Sequence, residues 1–129
     1  MKNISTIGRI CFALPFAVFG INHFIMMDYY LGTLTSFIPR SPYVMMLTGV
    51  LMIAVSISII TKLLVRLSTI LLAAMLLVFI LTIHIPHLVA GIDTEVSLIS
   101  LLKDISLMGG ALMIAGIYQD NGKTNPKTL

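Results

Sequence analysis

The chain has 129 residues, of which 58% are hydrophobic and only 10% are charged, and its mean hydropathy is +1.06. Because an average soluble domain carries about 25% charged residues, this composition excludes an ordinary water-soluble fold, a disordered chain and a nucleic-acid-binding module. The single cysteine, Cys11, excludes an internal disulfide, a CxxC redox pair and a thiolate metal cluster. We therefore expect one transmembrane domain over residues 1–129, in contact with the lipid bilayer.

Four segments are apolar enough to cross a bilayer core, which takes about 20 residues of helix. We predict spans at about residues 4–26, 43–61, 67–85 and 96–118. Arg9 falls inside the first span, and we expect its long side chain to snorkel out to water. The predicted fold class is an all-α integral membrane four-helix bundle.

The connections between the spans are unequal in length. Residues 62–66 form a very short connection, which makes spans two and three antiparallel neighbours. Residues 28–42 are a longer connection with Tyr29 and Tyr30 near its start, and tyrosines commonly anchor chains at the headgroup level. We predict a short interfacial segment between spans one and two, and a solvated, mobile tail over residues 119–129.

The basic residues predict the orientation of the bundle. If the amino terminus lies inside, six of the eight Lys and Arg residues fall on the inner side, as the positive-inside rule requires. Both termini are then cytoplasmic. The inner set is Lys2, Arg9, Lys62, Arg66, Lys123 and Lys127, and the outer set is Arg40 and Lys103.

Polar residues converge in the outer half of the predicted bundle. Counting 1.5 Å per residue places His23 and Asp104 about 21 Å above the inner ends of their spans, and His84 about 27 Å. Asn22, His87 and Lys103 belong to the same layer. A charged side chain near the middle of a span costs about 2.5–3.5 kcal/mol, and it raises a functional-site hypothesis. The short side chain of Asp104 predicts a histidine partner from span one or three.

His84 and His87 have a structural interpretation as well as a functional one. Two histidines three residues apart are a weak metal signal without a third ligand, so we predict no metal site from them. Pro86 lies between them and removes a backbone hydrogen bond. We expect the end of span three to bend there, which places His87 outside the helix.

Span four combines charged residues with glycines. Consecutive residues on a helix point about 100° apart, so we expect Lys103 and Asp104 to face different neighbours. The small residues Gly109, Gly110 and Gly116 predict a face that allows another helix to approach closely.

Three stretches resemble motifs of the DoxX-like family of small bacterial membrane proteins: GINHF at residues 20–24, HIPH at 84–87 and LKDISLMGGA at 102–111. Their order and spacing match over about residues 4–118. The resemblance implies a four-helix protein of the bacterial cytoplasmic (inner) membrane. It also implies association with membrane redox systems, since the family is named after a subunit associated with a thiosulfate:quinone oxidoreductase.

The resemblance favours a subunit or accessory of a membrane redox system that binds a quinone or similar apolar ligand near the outer face. The sequence has no flavin or nicotinamide fingerprint, so electrons would come from a redox partner protein or a bound haem. A haem- or metal-binding module and a non-catalytic scaffold or small-solute permease, either of which can be a homo-oligomer, remain alternatives. Under the first hypothesis the catalytic residues are His23 and Asp104, and the ligand-binding residues are Asn22, His84, His87 and Lys103.

Overall fold

The computed structural model describes residues 2–34, 38 and 40–119. The helices are α1 (Lys2–Ile25), α2 (Met27–Thr33), α3 (Pro42–Thr61), α4 (Val65–Phe79), α5 (Ile85–Val89) and α6 (Thr94–Ile117). A π-helical turn, Ile80–His84, joins α4 to α5. The predicted tail falls outside the described residues from position 120 onward, as do positions 35–37 and 39 of the predicted interfacial segment.

The predicted fold class is confirmed. Four helices are long and apolar enough to cross a membrane: α1, α3, the α4–π–α5 helix and α6. The third span is longer than predicted, because helix continues through Val89 rather than ending near residue 85. The predicted interfacial segment contains the short helix α2, which contacts α1 and α3. The chain is therefore a multi-pass membrane protein.

Neighbouring spans run antiparallel and pack mainly as two pairs, α1 with α3 and α4 with α6. A buried core of small and large apolar residues holds the pairs together, with contributions from all four spans. We call the end with His23, His84 and His87 the histidine end. The opposite end, with Arg9 and the turn between α3 and α4, is the arginine end. The core residues are Ala13, Phe16, Val55, Ile59, Leu72, Ala73, Leu76 and Ala111.

Two glycines allow α1 and α3 to cross closely at the histidine end. A Cβ atom added to Gly20 would lie 2.7 Å from the Gly49 carbonyl oxygen, and one added to Gly49 would lie 2.8 Å from the Gly20 carbonyl oxygen. Neither backbone can yield without separating the helices. The added Gly49 Cβ would also lie 3.1 Å from the His23 Cβ. The position of His23 therefore depends on this helix crossing.

Most of the glycine face predicted on span four does not pack within this bundle. A Cβ atom at Gly109 or Gly116 would meet open space, because these residues face away from the bundle. Only Gly110 lies against another helix, where an added Cβ would be 3.0 Å from the Phe12 ring. The small residues that bring helices together are therefore on α1 and α3 rather than mainly on α6.

The end of span three is continuous rather than broken at Pro86. Proline lacks an N–H group and its ring crowds the preceding turn, so it disfavours a regular α-helix. Here the wider π-helical turn Ile80–His84 directly precedes it, and α5 begins at Ile85. His87 consequently lies within α5, which corrects the prediction that it falls outside the helix.

Arg9 does not snorkel to water as predicted. The residue is only 6% exposed, and its Nη1 donates hydrogen bonds to the carbonyl oxygens of Ile59 at 2.6 Å and Ile60 at 2.7 Å. These carbonyls belong to the last turn of α3, where carbonyl groups have no partner within the helix and the helix dipole favours a cation. Arg9 therefore ties α1 to the end of α3.

Candidate functional site

A cavity of about 360 Å³ lies at the histidine end and receives residues from all four spans and from α2. Most of its lining is aromatic or aliphatic, including Phe16, Phe19, Met52 and Phe79. The volume falls within the range of about 300–1,000 Å³ that is typical of small-molecule sites. A mainly apolar wall with a few polar groups suits a ligand that is itself largely apolar.

Five of the six predicted site residues line this cavity. The exception is Asn22, which is half-buried on α1 but is not among the lining residues. Five members of the predicted polar layer therefore share one cavity wall, and Asn22 lies outside that wall. The five lining residues are His23, His84, His87, Lys103 and Asp104.

Asp104 pairs with a histidine of span three, as predicted. His84 Nε2 lies 2.7 Å from Asp104 Oδ2, and Asp104 is only 4% exposed. With an ionised carboxylate, the imidazole N–H donates this bond and its other ring nitrogen is left as a proton acceptor. A carboxylate in this position also stabilises the imidazolium once the second nitrogen takes a proton. The pair is therefore suited to reversible proton uptake.

Lys103 and Asp104 face different helices, as predicted: Lys103 meets Phe19 of α1, and Asp104 meets His84 of the third span. Their two side chains also contact each other. The Lys103 Nζ lies 3.6 Å from Asp104 Oδ1 and 5.4 Å from the centre of the Phe19 ring, within the range of a cation–π interaction. The long lysine side chain crosses the angle that separates the two positions on the helix. The carboxylate therefore meets His84 on one oxygen and Lys103 on the other.

The charge of the cavity wall depends on the protonation of His84. With neutral His84, the Lys103 cation and the Asp104 carboxylate balance each other. With protonated His84, the group of three carries one net positive charge. Such a wall holds a neutral ligand in the first state and favours an electron-rich or anionic one in the second.

His23 lines the same cavity and is held in place by α1 and α2. Its Nδ1 lies 2.7 Å from the Phe19 carbonyl oxygen, and because a carbonyl only accepts, this nitrogen carries the proton. Nε2 of the neutral ring is then a proton acceptor. The Tyr30 ring stacks on the imidazole with a centroid separation of 4.2 Å and an interplanar angle of 14°. Tyr30 thus fixes the plane of the His23 ring.

Tyr30 is a site residue that sequence reasoning assigned only to the membrane interface. Burial raises the pKa of its phenol above the ordinary value of 10.0, and the adjacent Tyr29 raises it further. The phenol therefore stays protonated at physiological pH. The signal available in the sequence was weak, because α1 ends and α2 begins between His23 and Tyr30, and only the folded chain defines that helix boundary.

Hydroxyl groups on α3 and α6 add further polar atoms that the sequence analysis did not single out. Thr48 donates to the Val44 carbonyl at 2.8 Å, and Ser97 donates to the Ile92 carbonyl at 2.9 Å. Both residues line the cavity, as does Ser100. Serine and threonine are common in membrane helices, so nothing in their spacing distinguishes these three from the rest.

The described residues contain no group of three or more His, Cys, Asp or Glu side chains that is placed to hold a metal ion. His84 already uses Nε2 to bond Asp104, and His23 uses Nδ1 to bond the Phe19 carbonyl. In its neutral form each of these two rings therefore keeps one nitrogen that can accept a hydrogen bond or a proton.

Comparisons of the chain with protein-family models, with curated proteins and with solved structures find no match. The functional argument therefore depends on the geometry of the cavity.

Proposed function

We propose that this protein is a membrane subunit or accessory of a redox system and binds a quinone, or a similar apolar ligand, in the cavity at the histidine end. The observation that carries the proposal is the His84–Asp104 pair, which lines the same mainly apolar cavity as His23. A quinone needs this combination. Its ring and tail are apolar, while its two carbonyl oxygens accept hydrogen bonds and take up protons on reduction.

The proton chemistry follows from the two histidines. A quinone that becomes a quinol gains two electrons and two protons, and the reverse reaction releases them. In their neutral forms His23 and His84 each have one nitrogen that accepts a proton, so they can receive the two protons of a quinol. The electrons pass to or from a redox partner protein, because the chain has no flavin or nicotinamide fingerprint.

The remaining lining residues have supporting roles in this proposal. Asp104 orients His84 and stabilises its charged form, and Tyr30 orients His23. The positive charge of Lys103 stabilises the negative charge that develops on a ligand oxygen during reduction. His87 lines the same cavity, where it can donate a further hydrogen bond.

The proposal extends to family and location. The three motifs that resemble the DoxX-like family include His23, His84 and Asp104, so the resemblance and the cavity point to the same residues. We propose the bacterial cytoplasmic membrane, with both termini cytoplasmic and the histidine end toward the outer face. The exposed Lys62 and Arg66 at the arginine end support this orientation.

Ligand binding tests the proposal directly. The chain has no tryptophan and four tyrosines, and two of these, Tyr29 and Tyr30, line the cavity. Tyrosine fluorescence of the detergent-purified protein should therefore be quenched as decylubiquinone binds. Mass spectrometry of a solvent extract should also detect a co-purified quinone.

Asp104→Asn is the most informative variant for this test, because it removes the charge and keeps the shape. We expect decylubiquinone to bind about tenfold more weakly, the loss of roughly one charge-assisted hydrogen bond. Ser106→Ala, an exposed position two residues further along α6, is the matched control and should bind as the wild type does. Unchanged binding in well-folded Asp104→Asn and His23→Ala variants would defeat the proposal.

The same preparations separate the alternatives. A haem protein is coloured, and its visible absorption would change in His23→Ala or His84→Ala. A scaffold or permease would bind no quinone, and it would keep its complex assembly and cell phenotype when His23 and Asp104 are replaced by alanine.

A further inference from the structure

A groove with a cavity volume of about 250 Å³ separates α1 from α6 at the arginine end. Its walls are mainly apolar, with Phe12 on one side and Met113 and Ile117 on the other. Two hydroxyl groups line it as well, those of Ser5 and Tyr118, whose oxygens are 3.4 Å apart. The groove shares no lining residue with the cavity at the histidine end.

Arg9 lines this groove, and two of its five N–H donors are engaged elsewhere. Its Nη1 donates to the carbonyls of Ile59 and Ile60, as described above. Its Nε is buried and bonds to none of the described groups. Nε and Nη2 form the edge of the guanidinium that points away from Nη1. Because Nε is closed off from solvent and Nη1 is engaged, Nη2 is the group that can donate to an oxygen of a carboxylate or phosphate.

The positive charge of Arg9 has no acidic partner among the residues that the structure describes. The ion pairs found there are those of Asp104, at the opposite end of the bundle. Carbonyl dipoles of α3 compensate the Arg9 charge only in part, and a buried charge without a counter-ion is costly. With no acidic partner among the described residues, this guanidinium is suited to bind an anion.

The position of the site indicates which anion fits. Arg9 meets the last turn of α3, which ends at Thr61, and Tyr118 follows directly after the end of α6. Both helices thus end at this level, where a membrane has its headgroups. The exposed Lys62 and Arg66 lie at the same end and attract anionic lipids.

We propose that the groove between α1 and α6 binds a phospholipid, whose phosphate accepts a hydrogen bond from Nη2 of Arg9. One acyl chain lies along the apolar walls, against Phe12 and Met113. A free phosphate ion would use Arg9 but not these walls. This site is independent of the function proposed for the histidine end.

Native mass spectrometry of the full chain in detergent measures this binding with three separate probes. Dioleoyl phosphatidylglycerol carries the phosphate and the chains, dioleoylglycerol carries the chains alone, and inorganic phosphate carries the anion alone. We expect a one-to-one complex with dioleoyl phosphatidylglycerol. Binding of each of the other two probes should be weaker by about tenfold or more.

Two variants locate the bound lipid. Arg9→Gln removes the charge and should weaken the phosphatidylglycerol complex by about tenfold. Gly8→Leu fills the groove without touching the bonds from Arg9 to α3, since nothing lies within 4 Å of a Cβ added at Gly8. Gly8→Leu should also weaken the phosphatidylglycerol complex. It therefore tests the lipid site even if Arg9→Gln does not fold. Gly116→Leu is the matched control, because its added Cβ also meets open space and it does not line the groove.

Several results would overturn the proposal. Equal binding of dioleoylglycerol would mean that the phosphate is not recognised, and tight binding of inorganic phosphate would mean that the ligand is a free anion. Wild-type lipid retention by a folded Gly8→Leu variant would place the lipid elsewhere on the bundle.

Discussion

Asp104 shows how a carboxylate is accommodated inside a membrane span. Its side chain is buried, yet His84 lies 2.7 Å from one oxygen and Lys103 lies 3.6 Å from the other. Both partners approach from the cavity wall, so the carboxylate is stabilised where a ligand would bind. The sequence predicted a histidine partner because a short acidic side chain cannot reach water from that depth.

A double-mutant cycle measures the His84–Asp104 interaction. Replacing either partner leaves the other buried with one hydrogen bond fewer, so Asp104→Asn and His84→Gln should each destabilise the protein by about 1–3 kcal/mol. The double variant should lose less than the sum, with a coupling energy of about 0.5–3 kcal/mol. Unfolding followed by circular dichroism in detergent provides these values.

The control for this cycle is Ser106→Ala, which should change the stability by less than about 0.5 kcal/mol because the residue is exposed. Strict additivity of the two single substitutions would contradict the interaction. In that case His84 and Asp104 would be neighbours without an energetic connection.

At the scale of the helices, the position of His23 depends on the crossing of α1 and α3. Gly20 and Gly49 bring the two backbones together, and the His23 Cβ lies close to the space above Gly49. The sequence analysis placed the close-packing glycines on span four instead. Glycine spacing alone does not identify the partner helix, and Gly109 and Gly116 turned out to face open space.

Gly49→Ala should therefore destabilise the bundle by about 1–3 kcal/mol, because the new methyl group overlaps the Gly20 carbonyl and the Phe24 ring. It should also weaken decylubiquinone binding, since His23 must move with α1. The thermal unfolding midpoint and tyrosine fluorescence quenching measure the two effects.

Gly109→Ala is the matched control, because its added Cβ meets nothing within 4 Å. It should be neutral, or stabilising by about 0.5–1 kcal/mol through the better helix propensity of alanine. Equal effects of the two substitutions would show that the α1–α3 crossing tolerates a larger separation.

The π-helical turn Ile80–His84 also affects the cavity at the scale of a helix. Proline at position 86 predicted a bend that would place His87 outside the helix, but a π-helical turn precedes it and the helix continues through Val89. A π turn takes in an extra residue and so rotates the helix beyond it relative to α4. His84 and His87 both line the cavity on either side of the proline.

At the scale of the whole molecule, the two ends of the bundle are chemically different. The histidine end has a cavity with a paired carboxylate, whereas the arginine end has a guanidinium bound to helix carbonyls and exposed basic residues. Antiparallel packing of all neighbouring spans places the turn between α3 and α4 and the loop between α5 and α6 at opposite ends.

Cysteine labelling tests the orientation that we propose for these ends. In a Cys11→Ala background, Ile92→Cys should react with a membrane-impermeant thiol reagent in intact cells, because it lies at the histidine end. Leu63→Cys should react only after the membrane is opened. Both positions are exposed, and neither substitution changes the charge.

Labelling of Leu63→Cys in intact cells, with protection of Ile92→Cys, would reverse the orientation. Equal labelling of both positions in intact cells would contradict the membrane-spanning bundle itself.

The amino-acid sequence by itself determined that the chain is a four-helix membrane bundle, because the apolar composition and segment lengths admit no other compact solution. It also predicted a shared layer for His23, His84 and Asp104, since depth in a membrane follows from the rise per residue. Only the tertiary structure decided which side chains meet. The pairing of Lys103 with Asp104, the stacking of Tyr30 on His23 and the burial of Arg9 depend on side-chain reach and helix rotation, which depth alone does not specify.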